Sequence, residues 1–175
     1  PMSRVARIVV PGYPHHVVQR GHNRATCFHS DAHYGLYRSL LAQWAAPSGC
    51  AVHAYVLMPN HVHLLLTPAT ATALAKFMRA VNQRYVQWVN RTSRRHGSAF
   101  QGRFHSSLVE SDAYLVECHR YIEQNPVRAR LVGLPRDWLW SSHRANAEGE
   151  FSDVVVPHPF VVGLAPSQEA RRARY

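Results

Sequence analysis

The sequence has little lysine and little acidic charge. Lys76 is the only lysine among 20 basic residues, which stand against 10 acidic ones, and the net charge is +10. Such an excess predicts an acidic partner, most simply nucleic acid. Arginine contacts phosphate through paired hydrogen bonds more readily than lysine does, although a GC-rich genome would also favour its codons.

Paired cysteines, long apolar runs and an apolar N-terminal signal are also lacking. Cys27, Cys50 and Cys118 form no C-x-x-C pair and are odd in number, which argues against a disulfide framework or a thiolate zinc site. No apolar run approaches the roughly 20 residues of a membrane helix. We therefore expect a protein that is neither secreted nor in a membrane, with reduced thiols, in the cytoplasm.

The hydrophobic pattern predicts a β-α-β-β-α-β order. Helices are expected over "SDAHYGLYRSLLAQWAA" and from Leu74 to Val89, where apolar residues follow 3.6-residue spacing. The expected strands lie in "RIVVPGYPHHVVQRG", "CAVHAYVLM", "HVHLLLT" and "FHSSLVE". This order is typical of a ferredoxin-like α+β fold, an antiparallel sheet with helices on one face. A further C-terminal helix follows in "SDAYLVECHRYIEQNP".

Two histidines stand in the otherwise apolar strand "HVHLLLT". The side chains of a strand alternate, so His61 and His63 point to one face, and Val62 and Leu64 point to the other. Two adjacent imidazoles can form half of a metal site, but they can also be hydrogen-bonded core residues. The H-x-H pattern alone does not decide between the two.

The last helix carries a tyrosine and an asparagine on one face. Tyr121 and Asn125 are one turn apart, and Pro126 predicts that the helix stops at Asn125. Tyr114 shares this face and is a rival to Tyr121, although its place near the helix start favours a packing role. Glu117 could tune the phenol or complete a metal shell, and a solvated glutamate is the simpler interpretation.

If this helix meets the face of His61 and His63, the site combines two imidazoles, an amide oxygen and a phenol. Mg²⁺ or Mn²⁺ suits such neutral ligands when phosphate supplies further oxygens, and it would act as a Lewis acid on a phosphodiester. A phenol has an ordinary pKa near 10, and a nearby cation favours its ionised form. Attack on phosphorus would form a phosphotyrosine and conserve the bond energy, which suits breaking and rejoining a strand.

Five blocks of the sequence resemble one family. The block "VLMPNHVHLLL" resembles the His-hydrophobe-His (HUH) motif of single-tyrosine transposases. Four others resemble the branch called REP-associated tyrosine transposases: "GYPHHVVQRGHNR", "FQGRFHSSLV", "YLVECHRYIEQNPVRARLV" and "WLWSSHRA". The resemblance runs from about Arg4 to Ala145. We therefore expect a transposase domain over residues 4–145 and a C-terminal tail over residues 146–175, of which roughly the last 25 look loose.

The resemblance implies a role for each matching residue. His61, His63 and Asn125 would be metal ligands, and Tyr121 would be the nucleophile. The family nicks and rejoins single-stranded DNA with Mg²⁺ or Mn²⁺, leaving the tyrosine on a 5′-phosphate and a free 3′-hydroxyl. Its substrates are palindromic repeats folded as hairpins beside a short guide sequence. We expect a cytoplasmic, nucleoid-associated monomer or homodimer.

Other residues are candidates for contacts with DNA. The basic and polar residues after the first strand, on the second helix and before the last strand are Arg20, Asn23, Arg24, Arg79, Arg84, Arg103 and His105. By contrast, His15 and His16 follow a proline turn and are interpreted as structural. Trp138 and Trp140 are interpreted as core residues.

Three other functions stay open from the sequence. The first is a protein of the same fold that binds hairpin DNA without useful catalysis, which the intact His61, His63, Tyr121 and Asn125 argue against. The second is another HUH nuclease, a relaxase or replication initiator, although those usually carry a third histidine or extra domains. The third is a hydrolase whose nucleophile is a metal-bound water.

Overall fold

The computed structural model describes residues 8–94, 96–164, 167 and 169–170 of the 175-residue chain. Its four strands are β1 (His15–Arg20), β2 (Cys50–Met58), β3 (His61–Pro68) and β4 (His105–Leu108). Its α-helices are α1 (Asp31–Ala45), α2 (Ala73–Ser93), α3 (Asp112–Glu123), α4 (Asn125–Arg128), α5 (His143–Glu148) and α6 (Pro159–Gly163). Three single 3₁₀ turns lie between them, at His22–Arg24, Ala46–Ser48 and Pro135–Asp137.

The strands form one antiparallel sheet in the order β2-β3-β1-β4. β1 and β2 run parallel with β3 between them, which is the split arrangement expected of a ferredoxin-like fold. The predicted β-α-β-β-α-β order is therefore confirmed. β1 and β3 are the two central strands, and their register places Val18 opposite His63 and Arg20 opposite His61.

One face of the sheet carries the main hydrophobic core beneath α1 and α2. Alternate strand residues such as Leu57 and Leu64 point to this face, as does Val62. They meet large side chains of the two helices, among which Tyr37 and Tyr85 are fully buried. The 3.6-residue pattern that predicted α2 thus marks the side that faces this core.

The opposite face carries a smaller core beneath α3. The strand residues here are Ala54, Val56, Met58 and Leu65, and α3 adds Leu115, Cys118 and Ile122. This packing brings the C-terminal end of α3 over the end of the sheet where His61 and His63 lie.

The break after α3 differs from the prediction. We expected the helix to stop at Asn125, but α3 ends at Glu123, and Asn125 begins the short helix α4. Pro126 has no N–H to bond the carbonyl of Ile122, and this carbonyl accepts a hydrogen bond from Gln124 instead. The chain continues as helix after Gln124, because the N–H groups of Gln124, Arg128 and Ala129 still bond the carbonyls four residues earlier, and Asn125 is the first residue of α4.

Two segments, one before α5 and one after it, cover the free edge of β2. The N–H of Leu57 bonds the carbonyl of Trp140, and the N–H of Val156 bonds the carbonyl of Val52. Val154 is buried in the main core. The expectation of a loose tail is therefore wrong for residues 154–156. They pack against β2 because an uncovered edge strand would leave its backbone groups unpaired. The end of that tail lies largely outside the described residues.

The remaining sequence expectations concern thiols and membranes. Cys27, Cys50 and Cys118 are free and buried, as predicted, and burial raises the pKa of each thiol to about 12. Trp138 and Trp140 pack against the core, also as predicted. Within the described part of the chain, no helix has the length and apolar character needed to cross a membrane.

Candidate active site on the α3 face of the sheet

His61 and His63 occupy alternate positions of β3 and point towards the α3 face. Their ring centroids are 4.9 Å apart, and the rings are nearly perpendicular. His63 is only 4% exposed. The Nδ1 of His61 lies 2.6 Å from Oδ1 of Asn60. Because that oxygen only accepts, Nδ1 of His61 carries the proton, and Nε2 keeps its lone pair.

Tyr121 comes to this pair from α3. Its ring centroid lies 5.5 Å from that of His63, in an edge-on arrangement. The side chain is 38% exposed, so the phenol can be reached by a ligand. The guanidinium carbon of Arg128, one helix further on, lies 5.1 Å from the centre of the Tyr121 ring. The last helix therefore does meet the sheet face of His61 and His63, which was the condition for a combined site.

Asn125 completes the group that the sequence singled out. It is 9% exposed and its side chain is hydrogen-bonded to His61. The structure therefore brings His61, His63, Tyr121 and Asn125 of one chain to a single place. Tyr114 and Glu117 line the same groove further up α3, and both are exposed.

His16 is a member of this site that the sequence interpretation missed. Its Nε2 lies 2.8 Å from Nδ1 of His63, and the two rings are 5.0 Å apart and nearly parallel. Its centroid also lies 6.0 Å from that of Tyr121. The interpretation of His15 as structural holds, because it is fully buried and bonds the carbonyl of Tyr13. Alternation along β1 was the available signal, since His16 shares a face with Val18 and Arg20.

The surroundings keep these imidazoles neutral. Burial, together with the neighbouring His16, His61 and Arg20, lowers the pKa of His63 to about 3. Burial and the charge of Arg20 lower the pKa of His61, although its hydrogen bond with Asn125 opposes them. Burial also lowers the pKa of His16. Neutral imidazole is the form that donates a lone pair to a metal ion.

The donor set suits a divalent cation only if the asparagine takes part. Among the described residues, no group of three or more His, Cys, Asp or Glu side chains is placed to hold a metal ion. Two neutral imidazoles and an amide, each partly enclosed, are compatible with an ion that keeps open positions for phosphate oxygens. Asn60 and His16 would not contact the ion. Their hydrogen bonds would fix the ring orientations of the ligands His61 and His63.

Two neighbouring depressions meet at Arg20. A groove of about 500 Å³ contains Tyr121, His63 and His16. A second cavity of about 440 Å³ is polar, and its lining residues are Arg20, Arg24, Gln101, Gly102, Arg103 and His105. Four of the predicted DNA-contact residues thus lie together beside Tyr121, and Asn23 is exposed on the turn that leads to Arg24.

Two other predicted contacts do not lie there. Arg79 and Arg84 are on α2, across the sheet from Tyr121. Arg84 stacks its guanidinium on Trp44 at 3.7 Å from the ring centre. The 3.6-residue pattern correctly placed both arginines on the outer face of their helix, but it could not tell on which side of the sheet that helix packs.

Comparison with known proteins identifies the family. The sequence profile described as "Transposase IS200 like" matches residues 10–125, about two thirds of the chain. The chain belongs to the IS200-like transposase family. The matched segment of this transposase-family chain contains all four residues of the predicted constellation, from His61 to Asn125. The resemblance inferred from the sequence motifs is confirmed.

Two individual relatives carry the name of the branch suggested by the motifs. A curated REP-associated tyrosine transposase of Haemophilus influenzae is 28% identical over 107 residues, which are 55% of this chain and 61% of that protein. The transposase-family chain thus matches less than two thirds of the relative's length. A solved REP-associated tyrosine transposase bound to a REP hairpin superposes with a TM-score of 0.71 at 19% identity, covering 90% of this chain and 93% of the other. That likeness confirms the fold.

Proposed function

We propose that this chain is a metal-dependent transposase that nicks and rejoins single-stranded DNA through a 5′-phosphotyrosine on Tyr121. One observation carries the proposal. The Tyr121 ring, exposed to a groove, lies 5.5 Å from His63, which is buried and neutral beside His61. A nucleophile next to a pair of potential metal ligands is the arrangement that covalent cleavage of a phosphodiester requires.

The metal would be Mg²⁺ or Mn²⁺, held by His61, His63 and Asn125. When bound, the ion would polarise a phosphate oxygen and lower the barrier to attack on phosphorus. The part of the chain itself is to hold both imidazoles neutral and correctly turned. Burial keeps them neutral, and the hydrogen bonds orient them: Asn60 holds the ring of His61 at 2.6 Å, and His16 holds the ring of His63 at 2.8 Å.

In the proposed reaction, the phenolic oxygen of Tyr121 forms a bond to phosphorus and loses its proton to water. The bond from phosphorus to the 3′ oxygen breaks, and that oxygen leaves as a hydroxyl after taking up a proton. Attack by a 3′-hydroxyl on the phosphotyrosine reverses both changes and rejoins a strand. Arg128, stacked near the Tyr121 ring, is placed to pair with a phosphate oxygen during either step.

The proposed partner is hairpin DNA with a single-stranded extension. The relative of similar fold was solved with a REP hairpin, and the present chain has a net charge of +10. Arg20, Arg24, Arg103 and His105 line the polar cavity that adjoins the Tyr121 groove. We infer that this cavity holds phosphates of the strand next to the cleaved bond. Because one chain supplies every residue of the site, a monomer would suffice.

The decisive experiment looks for the covalent intermediate. Palindromic repeats flanking the gene would be found by sequencing and tested as hairpin oligonucleotides with Mn²⁺. We expect a protein–DNA adduct that survives denaturing electrophoresis, with Tyr121 joined to the 5′-phosphate. Tyr121→Phe removes only the hydroxyl, so it should lose the adduct, and Tyr114→Phe should keep it. Cleavage without an adduct would replace this proposal with hydrolysis by a metal-bound water.

A further inference from the structure

Glu123 is a buried carboxylate with no part in the proposed chemistry. It is 1% exposed, at the end of α3, two residues after Tyr121. Its Oε1 accepts hydrogen bonds from Ser142 at 2.6 Å and Asn146 at 2.8 Å, and its Oε2 accepts one from Nδ1 of His143 at 3.2 Å. The Nδ1 of His119 lies 3.8 Å from Oε1. A carboxylate that collects donors from two helices needs a structural or functional reason.

The donors belong to a segment that is itself tied to the sheet. Ser142 bonds both backbone groups of Tyr55, and the side-chain amide of Asn146 also bonds the carbonyl of His53. Through α5, Glu123 therefore connects the end of α3 to β2. Burial opposes ionisation of Glu123, but the hydrogen bond from His143 and the nearby His119 outweigh it, so the pKa of this carboxyl lies below its ordinary value.

Helix geometry relates Glu123 to Tyr121. Successive residues of an α-helix are turned by about 100°, so Tyr121 and Glu123 lie on opposite flanks of α3, with Ile122 between them against the sheet. A helix that rests on a sheet by one apolar stripe can still rotate about its own axis. A hydrogen-bonded contact on one flank removes that freedom and fixes the height of the other flank above the sheet.

A small rotation of α3 would displace the phenolic oxygen of Tyr121 enough to affect a reaction. Side chains reach about 5–6 Å or more from the helix axis, so a rotation of about 10° would move the phenolic oxygen of Tyr121 by at least about 1 Å. A displacement of about 1 Å at a reacting atom can cost on the order of 100-fold in rate. Apolar contacts alone tolerate such rotations, whereas a carboxylate held by three directed hydrogen bonds does not.

We propose that Glu123, together with Ser142, His143 and Asn146, is a positioning device that sets the rotation of α3 and so holds Tyr121 against His63. The inference rests on the proposed function for its catalytic consequence, but the geometry can be tested without it. It also gives a role to the block "WLWSSHRA", which contributes Ser142 and His143.

The test replaces Glu123 by methionine, which keeps the shape and removes the hydrogen bonds. The control is Tyr85→Phe, which removes a buried hydroxyl from the other face of the sheet and leaves α3 untouched. The first readout is the nuclear Overhauser effect between the Tyr121 ring and the rings of His16 and His63 in the free protein. We expect it in the wild type and in Tyr85→Phe, and its loss in Glu123→Met.

The second readout is the rate of adduct formation at saturating hairpin and Mn²⁺. Glu123→Met should lower it about 100-fold while hairpin affinity changes less than about twofold. Unchanged ring contacts in Glu123→Met, or equal loss in Tyr85→Phe, would overturn the positioning role. If Glu123→Met does not fold, the double substitution Ser142→Ala, Asn146→Ala removes two of the three hydrogen bonds of Glu123 from the other side, and the same loss of ring contacts is expected. A wild type that shows the ring contacts but forms no adduct would refute the proposed function alone.

Discussion

The two faces of the sheet share the same strands but differ in how their polar groups are used. Beneath α1 and α2, buried polar atoms satisfy one another: Tyr85 donates its hydroxyl to the carbonyl of Cys27 and accepts from Nδ1 of His33. Beneath α3, His63 and Tyr121 meet with a groove beside them. On the first face the buried polar groups of Tyr85 and His33 stabilise the core, and on the second the groove leaves His63 and Tyr121 accessible to a ligand. The predictions below test that division.

The largest expected effect comes from deleting one hydroxyl on each face. Tyr121→Phe should abolish the covalent adduct and change the free energy of unfolding by less than about 0.5 kcal/mol, because the phenol is partly exposed. Tyr85→Phe should keep the adduct and lower the free energy of unfolding by about 1–3 kcal/mol, because two buried partners lose their bond. Urea unfolding and gel trapping measure the two quantities. Loss of the adduct in Tyr85→Phe, or a loss of stability in Tyr121→Phe as large as that expected for Tyr85→Phe, would contradict the difference between the two faces.

A pair of histidines sharpens the comparison for metal binding. His63→Ala should weaken Mn²⁺ binding more than ~100-fold, since even outer partners of a ligand are worth 10- to 100-fold. His33→Ala, on the other face, should leave it unchanged although His33 is similarly buried. Calorimetric titration of the free protein measures both affinities. Equal affinities for wild type and His63→Ala would remove the metal site from the proposal.

Acid should act on the α3 side through His53. Burial lowers the pKa of His53 to about 4, although its hydrogen bond to the carbonyl of Val156 opposes this. The unfolded chain takes up this proton near pH 6.5 and the native chain only near pH 4, so stability is full above pH 6.5 and falls between these values. At about 1.4 kcal/mol per pH unit, the loss is about 3 kcal/mol.

His53→Gln is the matched variant for this prediction. It should reduce the fall in the free energy of unfolding between pH 6.5 and pH 4 by about that amount. Urea titrations at several pH values measure it. The same pH profile in wild type and variant would mean that other groups dominate the acid response.

The smallest expected effect concerns arginines on the two faces. Arg103→Ala should weaken hairpin binding by about 1 kcal/mol and lower the slope of log affinity against log salt by about 1, because Arg103 lines the cavity beside Tyr121. Arg79→Ala, on the exposed face of α2, should change neither quantity measurably. Fluorescence anisotropy over a salt series separates the two. An equal loss for both variants would place DNA on both sides of the sheet.

The sequence could predict features that depend on residue spacing within one helix or strand, and not those that depend on how two elements pack. Alternation along β3 correctly placed His61 and His63 on one face, because this rule acts within one element. Helical spacing separated Tyr121 from the core-facing Leu115, Cys118 and Ile122 of α3 for the same reason. His16 was missed because alternation along β1 gives only the face of its side chain, and its contact with His63 depends on the pairing of β1 with β3. For Arg79 the pattern identified the exposed side of the helix, and the side of the sheet depended on tertiary packing.

The C-terminal residues show the same limit. Their composition suggested a loose segment, yet Val154 is buried and Val156 bonds β2, because the free edge of that strand needed a partner. Likewise the hydrogen-bond partners of Glu123 come from α5, which the spacing of residues along α3 does not predict. Composition describes what a segment can do alone, and neighbours distant in sequence decided these two cases.

The central position of β1 and β3 has a consequence for exchange with solvent. Each of these strands is hydrogen-bonded on both sides, and together they carry His16, His61 and His63. Their backbone amides should therefore exchange with deuterium only when the whole sheet opens, whereas the amides of α3, which is joined to the sheet by side chains, can exchange through smaller openings. The imidazoles are thus the rigid part of the site. The release of a bound DNA strand is expected to follow the rate at which α3, which carries Tyr121, moves away from the sheet.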